Sequence, residues 1–144
     1  MTPDHRTAAH PAFPSHADIG PRAGRVLIVE DDPATLHLLG HSLREAAFDV
    51  VMTGNGATAL QLLRDDPTVR VVLLDLEMPG FSGWEFRRAQ RADRKLAAVA
   101  TVIITSTALD RIIDKDLRAA DYLLKPVSPD HLISVVAKYC LRSR

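Results

Sequence analysis

With 144 residues, 47% of them hydrophobic, the chain has apolar material for one ordinary globular core, and its 18 basic and 18 acidic side chains cancel. Neutrality argues against nucleic acid or a membrane surface as partner, no apolar run approaches the roughly 20 residues that span a bilayer, and the N-terminus lacks the charged start and apolar core of a secretory signal. The single cysteine, Cys140, can form no internal disulfide and reads as a packed thiol in a reducing cytoplasm.

Residues 1–24 carry four prolines, two glycines and three histidines without any apolar period, and are expected to form a disordered arm. The spacing of His5, His10 and His16 matches no compact metal site. From Arg25 onward short apolar runs alternate with helical periods. Residues 26–29, rich in β-branched side chains, read as a buried strand. Asp32-Pro33 then marks a helix start, with Asp32 as N-cap and Pro33 at the first helical position; Leu36, Leu39, Leu43 and Ala47 follow at helical spacing. Residues 48–52 read as a second strand, and Asn55-Gly56 opens a helix carrying Ala59, Leu60, Leu62 and Leu63. A third strand covers residues 69–74, Trp84, Phe86 and Ala89 mark a third helix, and residues 100–105 form a fourth strand. A shorter helix over about 109–119 precedes the fifth strand at 121–124. Ser128-Pro129 starts the last helix, where Leu132, Ile133, Val136 and Tyr139 or Cys140 recur at helical spacing.

Five strands interleaved with five helices predict an α/β fold, a parallel sheet with helices on both faces. Right-handed crossovers then bring the carboxyl ends of the strands to one edge, where open sheets of this kind hold their ligands. Glu30, Asp31, Asp75, Thr105 and Lys125 all fall at such ends. Taken singly, each acid is an ordinary cap or solvated charge. Together they repel in a partly desolvated place unless something compensates, and a divalent cation with oxygen ligands is the simplest compensation. His37 and His41 stand one helical turn apart but read as a solvated face, and Trp84 reads as packing.

Four runs now stand in order: Val-Glu-Asp-Asp-Pro at 29–33, Leu-Asp-Leu-Glu-Met-Pro-Gly at 74–80, Ile-Ile-Thr-Ser at 103–106 and Asp-Tyr-Leu-Leu-Lys-Pro at 121–126. A chain carrying all four resembles the receiver domain of two-component response regulators, over about residues 25–141. The resemblance implies a flavodoxin-like five-stranded sheet of order 2-1-3-4-5, a receiver occupying residues 25–144 of stand-alone type, and a cytoplasmic phosphoprotein switch in place of an enzyme. It implies that Asp75 accepts a phosphoryl group from a sensor histidine kinase or a histidine phosphotransfer protein and signals to a further protein, or passes the phosphate on. Magnesium would be held directly by Asp31 and Asp75, through water by Glu30, and by the backbone carbonyl of Glu77. Thr105 and Lys125 would contact the phosphoryl group, Tyr122 would change rotamer with the switch, and the bond before Pro126 would be cis.

Some of these assignments have competitors in the residues themselves. Ser106 replaces Thr105 if the loop slips by one position, Tyr122 is equally well plain core filling, and Glu77 is a third acid whose effect on the acceptor the sequence leaves open. Thr105 to Lys125 is slightly short for the family, and Arg118-Ala119-Ala120 stands where a glycine-containing turn is usual. An aspartate-nucleophile phosphatase of the haloacid dehalogenase type is the enzyme alternative, with Asp75-Leu76-Glu77 loosely mimicking its opening motif, but its further acids lie downstream of the nucleophile. A receiver that binds partners without phosphorylation is the third reading.

Overall fold

The computed structural model describes residues 24–107 and 117–141. Strand β1 (Arg25–Val29) is followed by helix α1 (Pro33–Glu45), β2 (Val50–Thr53), α2 (Gly56–Asp65), β3 (Val69–Asp75), α3 (Gly83–Ala92) and a single turn α4 (Arg94–Ala97). Then come β4 (Ala100–Thr105), β5 (Asp121–Leu124) and α5 (Pro129–Cys140). All pairings are parallel, in the order β2-β1-β3-β4-β5, the flavodoxin-like arrangement.

The period-two alternation of the central strands divides the core in two. Val26, Ile28, Val71 and Leu73 pack with α1 and α5, while Leu27, Val29, Val72 and Leu74 pack with Leu60 and Leu63 of α2 and Phe86 of α3. Strands covered on both faces have no room for polar alternation, which is why β1 and β3 read as continuous apolar runs. Past Arg25 and Arg70 at their starts, the next charged side chains come where the strands end, at the carboxyl edge.

Helix starts follow local chemistry. The side chains of Asp32, Asn55, Ser82 and Ser128 each accept the backbone N–H three residues on, and Ser82 and Glu85 form a reciprocal capping box. Helix α1 ends in a left-handed Ala47 (φ 71°), with Ala47 N donating to Arg44 O and Phe48 N to Leu43 O. That closure uses up the backbone of Phe48, so β2 starts two residues later than its apolar pattern suggests. The turn α4 is absent from the apolar periods because it is only four residues long. The expected arm lies outside the described residues except for Gly24, which is buried and accepts a 2.9 Å hydrogen bond from Cys140 Sγ. Most of the helix expected over 109–119 lies outside them too. Among the described residues no helix is long and apolar enough to cross a membrane.

Candidate functional site

The ends of β1, β3, β4 and β5 meet at the carboxyl edge of the sheet. Asp75 closes β3, the central strand, and is 1% exposed; Glu30 follows β1 and is also 1% exposed. Carboxylate oxygens of Glu30, Asp31 and Asp75 lie within 4.8 Å of one another. Lys125, just after β5, brings its Nζ to 2.9 Å from Glu30 Oε1 and 3.4 Å from Asp75 Oδ1. Register fixes these neighbours: Asp75 stands beside Ile104, and Lys125 N donates to Thr105 O at 2.8 Å. The Lys125–Pro126 peptide bond is cis.

Charge in this pocket is out of balance. Burial, then the adjacent Glu30 carboxylate, push the Asp75 carboxyl up to about 7, against the opposing pull of Lys125. Burial lowers the Lys125 ammonium, but Glu30 and Asp75 outweigh it, and the net direction is upward. One ammonium thus serves two buried carboxylates. Glu30 Oε2 accepts from Asp32 N at 3.1 Å, and the buried Glu30 Oε1 faces the Lys125 ammonium at 2.9 Å. Three converging carboxylates facing a single ammonium fit a divalent cation.

Glu77 is two residues past Asp75. Its N–H donates to Asp75 Oδ1 at 3.2 Å, while its side chain turns to the residues after β4. Glu77 Oε2 accepts from Thr105 Oγ1 at 2.5 Å and Thr107 Oγ1 at 3.0 Å; Oε1 accepts from Ser106 N at 3.2 Å and Ser106 Oγ at 3.3 Å. Burial alone would raise the Glu77 carboxyl, but these donors outweigh it and hold it below the usual glutamate range. Thr105 is fully buried and Ser106 exposed, so both candidate hydroxyls meet the same carboxylate from different depths. Gly83 lets α3 begin against the end of β3: a Cβ there would lie 2.4 Å from the Asp75 carbonyl oxygen.

With this geometry in place, the comparison with known families is decisive: residues 26–137 match the response regulator receiver domain. The chain belongs to that family. Receivers are signalling domains phosphorylated by histidine kinases. Among its relatives, this receiver is 36% identical over 115 residues to the DNA-binding response regulator MtrA of Mycolicibacterium smegmatis, matching 78% of this chain and 48% of that protein. The chain therefore spans about half the length of such relatives. It is 32% identical over 114 residues to Protein PilH of Pseudomonas aeruginosa, with 78% of this chain and 93% of PilH covered. A solved structure similar to it is the receiver domain of a sensor histidine kinase from Pseudomonas aeruginosa, described with a magnesium ion coordinated in its active-site cleft. That match has a TM-score of 0.69 and 25% identity, over 82% of this chain and 98% of that one.

The remaining sequence-predicted residues of this receiver fall as follows. Tyr122 is half-buried and packs on the α2–α3 side of the sheet, as does Trp84. His37 and His41 stack at 6.3 Å between ring centroids on an exposed face of α1. A polar cluster that the sequence did not reveal lies deeper. Arg87 of α3, 6% exposed, donates to Leu117 O at 2.6 Å, Arg118 O at 2.8 Å, Gln90 Oε1 at 2.9 Å and Thr101 Oγ1 at 3.2 Å. Gln90 in turn donates to Leu96 O and Val99 O. An arginine in a polar, amphipathic helix reads as surface charge; only the long-range partners at 101, 117 and 118 reveal it as buried.

Proposed function

We propose that Asp75 is the phosphoacceptor of a cytoplasmic two-component switch occupying residues 25–144, charged by a sensor histidine kinase or a histidine phosphotransfer protein and read by a further protein. The observation that carries this reading is the single buried carboxylate at the end of the central strand, with an ammonium 3.4 Å away and two further acids beside it. A carboxylate is a weak nucleophile, so transfer depends on placement and on cancelling charge as the phosphoryl group arrives. Both Glu77 N and Lys125 Nζ address Asp75 Oδ1, which leaves Oδ2 as the attacking atom. The bond formed is Oδ2–P; the bond broken is P–N of the donor phosphohistidine, whose electron pair leaves on the imidazole nitrogen. Lys125 then faces a phosphoryl oxygen, and Thr105 supplies a hydroxyl donor.

Asp31 and Asp75 would hold a magnesium ion directly, with Glu30 through water and Glu77 through its backbone carbonyl. Bound there, it favours the ionised form of Asp75 and neutralises phosphoryl oxygens. Incubating the protein with magnesium and acetyl phosphate should add the mass of one phosphoryl group, and Asp75→Asn should abolish that gain. A phosphate still gained by Asp75→Asn would place the acceptor elsewhere.

A further inference from the structure

Thr105 has one hydroxyl proton, and in this structure it is already given away, to Glu77 Oε2 at 2.5 Å. The oxygen of that hydroxyl also accepts from Thr107 N at 3.0 Å, so its orientation is fixed from both sides. A hydroxyl bonded to a carboxylate is roughly twice as strongly held as one in a neutral pair. Nor is Thr105 held alone. Four donors from three consecutive residues, two of them hydroxyls flanking an N–H and hydroxyl of Ser106, converge on one side chain whose own backbone N–H rests on Asp75.

We propose that the Glu77 carboxylate is the positioning residue of the resting state, a latch that competes with the phosphoryl group for the Thr105 hydroxyl. This rests on the reading of Asp75 as acceptor. A phosphoryl group there presents new anionic oxygens to Thr105 and brings a second negative charge next to Glu77. Switching is then an exchange of one charged acceptor for another, and its gain is what remains after the Glu77 bond is lost. Carboxylate reach, in addition to charge, sets how easily the protein activates. Glu77→Gln weakens the bond by removing the charge. Glu77→Asp keeps the charge but draws the oxygens back by one methylene, out of reach of Thr105.

The test is the affinity of the full chain for beryllofluoride at saturating magnesium. Wild type, Glu77→Gln and Glu77→Asp are each measured with Thr105 intact and with Thr105→Val. Glu77→Gln should bind about five-fold more tightly than wild type, the difference between a charged and an ordinary hydrogen bond, and Glu77→Asp, which loses the Thr105 bond, at least as much. That gain should vanish in the Thr105→Val background. A gain in Glu77→Gln with Glu77→Asp unchanged would overturn the latch and leave simple charge repulsion. A gain that survives Thr105→Val would overturn it as well. Wild type that binds no beryllofluoride would sink the acceptor reading, and the latch with it.

Discussion

Two buried polar clusters lie some distance apart in the same domain, and they handle charge in opposite ways. At the sheet edge two nearly inaccessible carboxylates share one lysine, with the carboxylate of Asp31 beside them. Under α3 a single guanidinium is taken up by two carbonyls, an amide oxygen and a hydroxyl, all neutral. The first arrangement is like charge held together short of compensation; the second uses four of five donors with no counter-charge needed. The difference separates chemistry from architecture. A cluster left incomplete stores a preference for a ligand, whereas a completed one holds elements together.

If that contrast is right, removing charge should have opposite signs at the two places. The largest effect belongs to Arg87. Arg87→Met fills similar volume but strands the carbonyls of Leu117 and Arg118, while Gln90 and Thr101 keep only the bond between them and those to Leu96 and Val99. We expect about 3 kcal/mol of destabilisation by urea denaturation at neutral pH. A loss under about 0.5 kcal/mol would place Arg87 among ordinary surface charges.

At the edge the sign reverses. In the folded protein the Asp75 carboxyl sits at about 7, above its ordinary value near 3.8, so the folded state holds a proton that the unfolded chain has already lost. Stability must then fall as pH rises through that window, with the full penalty present above pH 7. Asp75→Asn removes the charge and should stabilise the metal-free protein by about 2 kcal/mol at pH 8, and by little at pH 4. Urea melts at the two pH values check both the sign and the slope. An asparagine variant less stable than wild type at pH 8 would mean that Lys125 fully compensates the site and that nothing there is poised for a ligand.

Much of this was legible beforehand, for reasons that differ by residue. The caps at Asp32, Asn55 and Ser128 act within three positions, and the strand ends at Glu30, Asp75, Thr105 and Lys125 follow from apolar runs that stop. What escaped the sequence depends on contacts far apart in the chain. Arg87 finds acceptors 30 and 31 residues away, and Glu77 finds donors 28 to 30 residues away. Only the sheet register brings these partners together. The β2 boundary moved because the closure of α1 claims Phe48 before the strand can.

A smaller effect tests the ligand preference of the edge directly. At magnesium ten times its Kd, wild type should gain about 1.4 kcal/mol of stability by mass action. Asp31→Ala should lose nearly all of that gain, because a directly coordinating carboxylate is removed, while Glu30→Ala should lose part of it. Thermal melts with and without magnesium separate the two. Equal gains in wild type and Asp31→Ala would take Asp31 out of the metal site.

The smallest effect probes what the completed cluster supports. Arg118 is an exposed residue with φ 43°, in the left-handed region that costs a non-glycine residue on the order of 1 kcal/mol, and its carbonyl is one of those Arg87 holds. A strained residue persists only where its surroundings over-determine it. Arg118→Gly should therefore stabilise the fold by about 0.5–1 kcal/mol, since glycine meets no Cβ penalty there. If Arg87 is what enforces the strained turn, the two substitutions must couple: Arg87→Met alone also releases the strain at Arg118, so it should cost more in the Arg118→Gly background than alone, by a similar few tenths to 1 kcal/mol. Strict additivity in a double-mutant cycle would show that the turn at Arg118 is set by the chain on either side of it and that Arg87 only satisfies a carbonyl already in place. The contrast between the two clusters would then stand, but the guanidinium would anchor α3 without shaping the approach to β5.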